Sequence, residues 1–136
     1  MTEEKKGIKE LLKELLIDRE ERIRMLIKKA KNILGIEKST GEPIILIPRS
    51  KLSNKEVIAL YILGAYFSYE LGLRDSPSVS RSELVSKLGL DPKVVSARTS
   101  ELKREKIIKS SRKGEYEILI TGAEELLDSI KEKAGV

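Results

Sequence analysis

The run from Val57 to Phe67 carries no charged residue over eleven positions, and it follows directly on Ser53-Asn54-Lys55-Glu56. Those four residues have the spacing of a capping box, in which the serine oxygen takes a first-turn backbone N–H and the glutamate reaches back to the serine N–H. The helix so opened is expected to reach about Leu71, where Gly72 can end it. A helix that is apolar on every face cannot rest on a surface. It must be covered from two sides, one by the C-terminal part of the chain and the other by the N-terminal part or a partner chain. Eleven residues fall well short of the roughly 20 that cross a bilayer. The N-terminus, MTEEKKGIKE, also lacks the apolar core of a signal peptide. A cytoplasmic protein is the expectation.

The chain contains no cysteine and no histidine. Disulfides, thiol nucleophiles, imidazole bases and nearly every common zinc or haem ligand set are thereby removed, so neither a metal nor a cofactor is expected. Glu20-Glu21 and Glu124-Glu125 are carboxylate pairs in adjacent helical positions and do not converge on one site. No glycine-rich phosphate loop follows a strand. These absences argue against an enzyme. Glutamine is absent too, while Lys, Glu and Ile abound, a bias of proteins that work at high temperature.

The positive charge is local. From Asp91 to Gly114 there are eight basic residues (Lys93, Arg98, Lys103, Arg104, Lys106, Lys109, Arg112, Lys113) against three acidic (Asp91, Glu101, Glu105). The whole chain has 27 basic and 22 acidic residues, so everything outside that segment balances at 19 of each. A surface that faces phosphates requires such a concentration.

Two parts are expected, residues 1–52 as an extension and 53–136 as the main domain. From about Thr2 to Leu34 the pattern is helical, with Ile8, Leu12, Leu15, Leu16, Ile23, Leu26, Ile27, Ala30 and Leu34 on one face. Arg19 interrupts the stripe, and Asp18 with Glu21 has capping-box spacing, so one long helix and two helices broken near Ile17 both fit. The stripe needs cover, either from its own domain or from a second copy in a homodimer. Pro43 to Pro48 reads as a short edge strand that Ile36 to Lys38 could pair with as a hairpin.

Beyond the central helix, Arg74 to Ser78 reads as a linker. Ser80-Arg81-Ser82-Glu83 is another capping box, with Val79 and Leu84 at the spacing of a hydrophobic staple. The helix it opens stops at Gly89, and Asp91-Pro92 supplies a cap and a first-position proline for the next. Ile107 to Ser111 and Tyr116 to Ile120 flank Arg112-Lys113-Gly114-Glu115 and read as a β-hairpin with a basic tip. Thr121 with Glu124 is expected to cap a closing helix whose apolar side is Leu126, Leu127, Ile130 and Ala134.

This order of elements resembles the winged helix-turn-helix superfamily, particularly small regulators of the multiple-antibiotic-resistance and related types from prokaryotes and archaea. The resemblance covers residues 53–134 and rests on Ser82-Glu83-Leu84 to Leu88-Gly89, on Val95-Ser96 to Ile107-Ile108, and on Ile118-Leu119-Ile120-Thr121-Gly122. It implies a mainly α fold with a small β-hairpin wing and binding of double-stranded DNA; the amphipathic N-terminal helix, expected from its own pattern, precedes that domain and lies in the first 50 residues, which the resemblance does not cover. The family usually has glycine where Lys106 stands, so the turn into the wing is expected to be built differently.

At 100° per residue, Val95, Thr99 and Leu102 share the core face of the helix from Pro92 to Glu105, with Arg98 at their margin and counted among the residues expected to contact nucleic acid. The opposite face presents Lys93, Ala97, Ser100 and Arg104, flanked by Ser96 and Lys103. Small residues at its centre suit a major groove about 12 Å wide, with Lys93 and Arg104 reaching the backbones at either end. Ser96 and Ser100 can offer hydroxyls to bases or phosphates. Arg112 and Lys113 at the wing, residues 112–115, would meet an adjacent minor groove or its phosphates, and Lys109 would add a phosphate contact. Glu101 and Glu105 read as partners of Arg98, Arg104 or Lys109. Tyr61, Tyr66, Phe67, Tyr69 and Tyr116 read as buried or interfacial rather than as platforms for unstacked bases. The expectation is a dimeric, sequence-specific DNA-binding transcriptional regulator. The other reading is a nucleoprotein adaptor that docks its winged domain on RNA, a ribosome or a protein.

Overall fold

Helix α3 (Asn54–Glu70) is the axis of the molecule, and ten consecutive residues, Val57 to Tyr66, are buried along it. The computed structural model describes residues 7–136. Ahead of α3 come α1 (Ile8–Lys13), α2 (Arg19–Ala30), β1 (Leu34–Ile36), β2 (Pro43–Ile45) and one 3-10 turn, Arg49–Lys51. After it come β3 (Val79–Ser80), α4 (Arg81–Leu88), α5 (Pro92–Arg104), β4 (Ile108–Arg112), β5 (Glu115–Ile118) and α6 (Ile120–Ala134). The architecture is chiefly helical with two small antiparallel sheets, β1-β2 and β3-β5-β4.

The Ser53–Glu56 capping box is closed in both directions, with Ser53 Oγ taking the Glu56 N–H at 3.1 Å and Glu56 taking the Ser53 N–H at 2.8 Å. At the far end Gly72 has φ +77, a left-handed value that costs glycine nothing. One flank of α3 is covered by α4, α5 and β5. The other is covered by the β1-β2 hairpin, not by the N-terminal helix: α2 packs mainly against α6. Pro43 on β2 reaches α3 because Gly64 has no side chain there; a Cβ on Gly64 would stand 2.5 Å from Pro43 Cβ. Ser68, fully buried, donates its hydroxyl to the Gly41 carbonyl at 2.7 Å and ties the hairpin turn to the same helix. The hairpin pairs Leu34 with Ile45 and Ile36 with Pro43, two residues earlier on its first strand than Ile36 to Lys38.

The long N-terminal stripe does not form one face. Helix α1 ends at Lys13 and α2 starts at Arg19, where Asp18 caps it by accepting the Glu20 and Glu21 N–H groups. Leu34, expected at the end of the helix, lies on a strand. Only Leu26, Ala30 and Leu34 of the stripe are buried, while Ile8, Leu12, Leu15, Leu16 and Ile27 stay exposed. The part of the expected helix before residue 7 lies outside the described residues. Leu26, Ala30, Ile33, Leu34 and Ile47 belong to the same continuous core as α3 to α6, so the extension from α2 onward shares its packing with residues 53–136.

The closing helix is capped otherwise than its sequence suggests. It begins two residues early, at Ile120 after Leu119, and no side chain caps it. Thr121 and Glu124 are instead engaged by Arg22 of α2, whose guanidinium reaches Glu124 Oε1 at 3.0 Å and Thr121 Oγ1 at 3.3 Å. A second ion pair, Lys29 to Asp128 at 3.1 Å, runs along the same contact. A charged partner from another helix outcompetes a local N–H for the carboxylate, since hydrogen bonds between ionised groups are roughly twice as strong as neutral ones.

The second capping box is likewise half used. Ser80 Oγ takes the Glu83 N–H, but the Glu83 side chain turns away to Arg74 and Tyr61. Arg74 grips it with two bonds of 2.7 and 2.8 Å and also holds the Ser76 and Ser78 carbonyls, so the presumed linker is a fastened segment. It leads into Val79–Ser80, a strand not foreseen, which pairs with β5. Burial alone would raise the Glu83 carboxyl. Hydrogen bonds from Arg74 and Tyr61 and the Arg74 charge outweigh it and hold its pKa below the ordinary 4.5. Because the folded value is the lower one, this carboxylate stabilises the fold fully above about 4.5 and ceases to as pH falls through the folded pKa. Urea unfolding midpoints of the wild type should therefore drop as pH falls below about 4.5, and Glu83→Gln should flatten that drop. Parallel profiles for the two proteins would remove Glu83 from this role.

Candidate nucleic-acid interface

Helix α4 ends at Gly89, with φ +64, and α5 starts after Asp91, whose carboxylate accepts the Lys93 N–H at 2.7 Å, with Pro92 in the first turn. Three inward residues then fix the rotation of α5. Val95, Thr99 and Leu102 are each at most 1% exposed, and the Thr99 hydroxyl is satisfied inside the helix by the Val95 carbonyl at 2.7 Å. Lys93, Ala97, Ser100, Lys103 and Arg104 are exposed as a result, and Ser96 is half-buried beside them. Ser100 donates its proton to the Ser96 carbonyl at 2.9 Å. Its oxygen remains available to accept a bond from outside.

The hairpin stands next to this face and is fastened to it. Arg81, the first residue of α4, donates its backbone N–H to the Gly114 carbonyl at 2.8 Å. Its guanidinium donates to the Tyr116 hydroxyl at 3.2 Å, and Lys103 Nζ lies 5.9 Å above the Tyr116 ring. Burial raises the Tyr116 phenol, but the hydrogen bonds from Thr99 and Arg81 and the charges of Arg81 and Lys103 overcome this and lower its pKa. The tyrosine is 2% exposed and is a joint between α4, α5 and β5, not a stacking platform. At the tip, Arg112 and Lys113 are exposed, Gly114 has φ +74, and Ser110 donates to the Arg112 carbonyl at 2.8 Å across a bulge.

Lys106 opens the way from α5 to β4 with φ +62. The side chain differs from the glycine usual in the resembled family, while the backbone takes the left-handed conformation that glycine favours.

Lys93, Lys103, Arg104, Arg112 and Lys113 form no ion pair among the described residues, although the structure pairs Arg22, Lys29, Lys55, Arg74 and Lys87 with carboxylates elsewhere. Two expected members do not join them. Arg98 is half-buried and bonded to Glu101 at 3.1 Å, its Nε enclosed, and it lies with Lys93 and Ala97 in a depression that includes Asn54 of α3. Lys109 pairs across the sheet with Glu117, whereas Ser110 pairs with Tyr116. Side chains alternate along a strand, so Lys109 and Glu117 share the face away from α5, in a cleft with Arg19, Tyr69 and Glu70. Glu101 takes Arg98 as expected, but Glu105 pairs with Lys55 of α3 at 2.8 Å and not with Arg104 or Lys109.

Arg81 is the cation that sequence reasoning missed. It sat inside a capping box, where only its neighbours had a role, and its position beside the hairpin depends on the β3-β5 pairing. The resulting surface is a convex helix with a small-residue centre, cations at both ends and a basic hairpin tip held at a fixed offset. Such a surface can take up a polyanion along a line and present hydroxyl and methyl groups between the charges. No family model, no curated protein and no solved structure matches the chain significantly.

Proposed function

We propose that the protein is a sequence-specific double-stranded DNA-binding protein, a transcriptional regulator of winged helix-turn-helix type without a catalytic role. In this reading α5 lies in the major groove, Ser96, Ala97 and Ser100 face the base edges, and Lys93 and Arg104 reach the flanking phosphates. Arg112 and Lys113 at the hairpin tip meet the backbone or the neighbouring minor groove, with Lys103 and Arg81 between. The observation that carries the reading is the set of cations on α5 and at the tip that no carboxylate of the described residues neutralises. Like charges gathered on one face repel one another, and a polyanion that takes the place of their counterions relieves that repulsion. The chain order α3-β3-α4-α5-β4-β5-α6, with β5 between β3 and β4, adds support, since it places a two-helix corner and a hairpin on one side of α3.

The test is selection of bound duplexes from a random pool, followed by salt titration on the enriched sequence. A recurring motif is expected, together with a log–log salt slope of about −4 to −5, since each neutralised phosphate contributes roughly 0.9. Binding that ignores sequence would leave a nonspecific duplex binder. Preference for structured RNA over every duplex would favour the adaptor reading instead.

A further inference from the structure

A cleft of about 270 Å³ opens where the start of α2, the end of α3, the start of α6 and the back of the β4-β5 hairpin meet. That is just under the roughly 300–1,000 Å³ of ordinary ligand sites, so a small metabolite is what it can hold. Tyr66 of α3 lines it. The residue is 7% exposed, and its hydroxyl is shielded from bulk water without making a hydrogen bond. The other two buried tyrosines both use theirs, Tyr61 on Glu83 at 2.6 Å and Tyr116 with Arg81 at 3.2 Å. Burial and the Glu70 charge raise the Tyr66 phenol above its ordinary value against the pull of Arg19, so it holds its proton at neutral pH. It is a donor for which the fold supplies no acceptor.

The charge around this donor is balanced. Arg19 and Glu70 lie beside it and line the same cleft, and both are exposed side chains that can turn to admit a ligand. On the hairpin wall Lys109 and Glu117 stand opposite one another in the strand ladder, which leaves that wall neutral. None of the four forms an ion pair among the described residues. Leu119 and Ile120 close another side, and they begin α6, whose first N–H groups no side chain caps. Such a helix start favours a carboxylate. An anion alone would meet Glu70, and a cation alone would meet Arg19. A molecule that carries both signs a few bonds apart satisfies both, and gives the Tyr66 hydroxyl its acceptor.

We propose that this cleft binds a small zwitterion of the α-amino-acid type. The Tyr66 hydroxyl, Arg19 and the start of α6 receive its carboxylate, Glu70 receives its ammonium, and an apolar side chain rests against Pro77 and Ile118. None of these residues belongs to α5 or the hairpin tip, so the site stands whether or not those bind DNA.

Calorimetric titration of the full chain with free L-leucine, L-isoleucine and L-phenylalanine tests this, beside the deaminated and decarboxylated analogue of each. At least one amino acid is expected to bind with a Kd below about 1 mM, and its two analogues at least about tenfold more weakly. Tyr66→Phe should weaken binding by about tenfold or more, as loss of a hydrogen bond to a charged group does. Its thermal midpoint should stay or rise, because the hydroxyl removed has no partner in the fold. Glu70→Gln should weaken the amino acid and spare the deaminated analogue, a split that a purely structural glutamate would not produce. No binding of any of the three up to about 10 mM would overturn the proposal. Analogues that bind as well as the amino acid would overturn it, since the cleft would then be merely apolar. Unchanged affinity in Tyr66→Phe, or a lowered thermal midpoint, would do so as well.

Discussion

Replacing Lys93, Arg104, Arg112 and Lys113 together by alanine should weaken duplex binding by roughly a hundredfold or more at 0.1 M salt while leaving the thermal midpoint where it was. Four lost phosphate contacts remove about 3 to 4 from the magnitude of the salt slope. The stability expectation has a separate basis: all four side chains are exposed, and none joins an ion pair among the described residues. Their removal takes away no folded-state partner and relieves repulsion among neighbours. Lys109→Ala provides the internal control. It removes the same charge a few residues from the tip, but on the face of the sheet turned from α5, and its slope should match wild type. An unchanged slope in the fourfold variant would end the assignment of this face to nucleic acid. An equal loss from Lys109→Ala would show that overall charge, not this surface, does the binding.

A second large effect is expected in stability, from one methyl group. Gly122 lies in the first turn of α6 where the helix crosses the chain leaving α5, and a Cβ there would stand 2.3 Å from the Lys106 carbonyl oxygen and 2.5 Å from Ile107 Cα. Both neighbours are backbone, so neither can rotate aside. Lys106 is already held at φ +62, and Ile107 is anchored by its N–H on the Leu102 carbonyl at 3.0 Å. Helix α6 has to move, and with it Ala123, Leu126, Leu127 and Ile130, all of which are in the core. Gly122→Ala should therefore cost about 3 kcal/mol or more, the upper end for overpacking. Gly64→Ala offers the comparison, because its obstacle is the Pro43 ring on a two-stranded hairpin that can shift outward. It should cost less. Urea unfolding of both variants reads the difference, and a Gly122→Ala loss below that of Gly64→Ala would contradict the packing described.

What could be read from the sequence was local. Ser53 with Glu56, Asp91 with Pro92, and Gly89 each act within one turn of chain, and the structure has each of them where its spacing put it. The rotation of α5 was legible for the same reason, since Val95 and Leu102, two turns apart with Thr99 between them, set two large aliphatic side chains on one face of that helix. Readings failed where a distant group competed. Thr121 and Glu124 had a local N–H to cap and took Arg22 from 99 and 102 residues away instead. Glu83 left its own helix terminus for Arg74. Leu12, Ile23 and Leu34 repeat at eleven residues as one helix face would, yet Asp18 breaks the helix and Leu34 is captured by strand pairing with Ile45. Lys109 was counted by charge alone. Which face of the sheet it occupies depends on the register between β4 and β5, and a bulge between Ser110 and Arg112 makes that register unreadable from spacing.

The tie from the Arg81 N–H to the Gly114 carbonyl, with Tyr116 wedged beside it, makes a caliper of the two basic elements. If α5 sits in one groove as proposed, the distance at which Arg112 and Lys113 would meet the next is set by the protein and not by the DNA. A duplex would then have to bring its own phosphates to that spacing, at an energy that depends on the stiffness and groove width of base pairs that no side chain touches. Selectivity would arise in part at positions outside the contacted bases, as a preference for how a sequence bends rather than for what it displays.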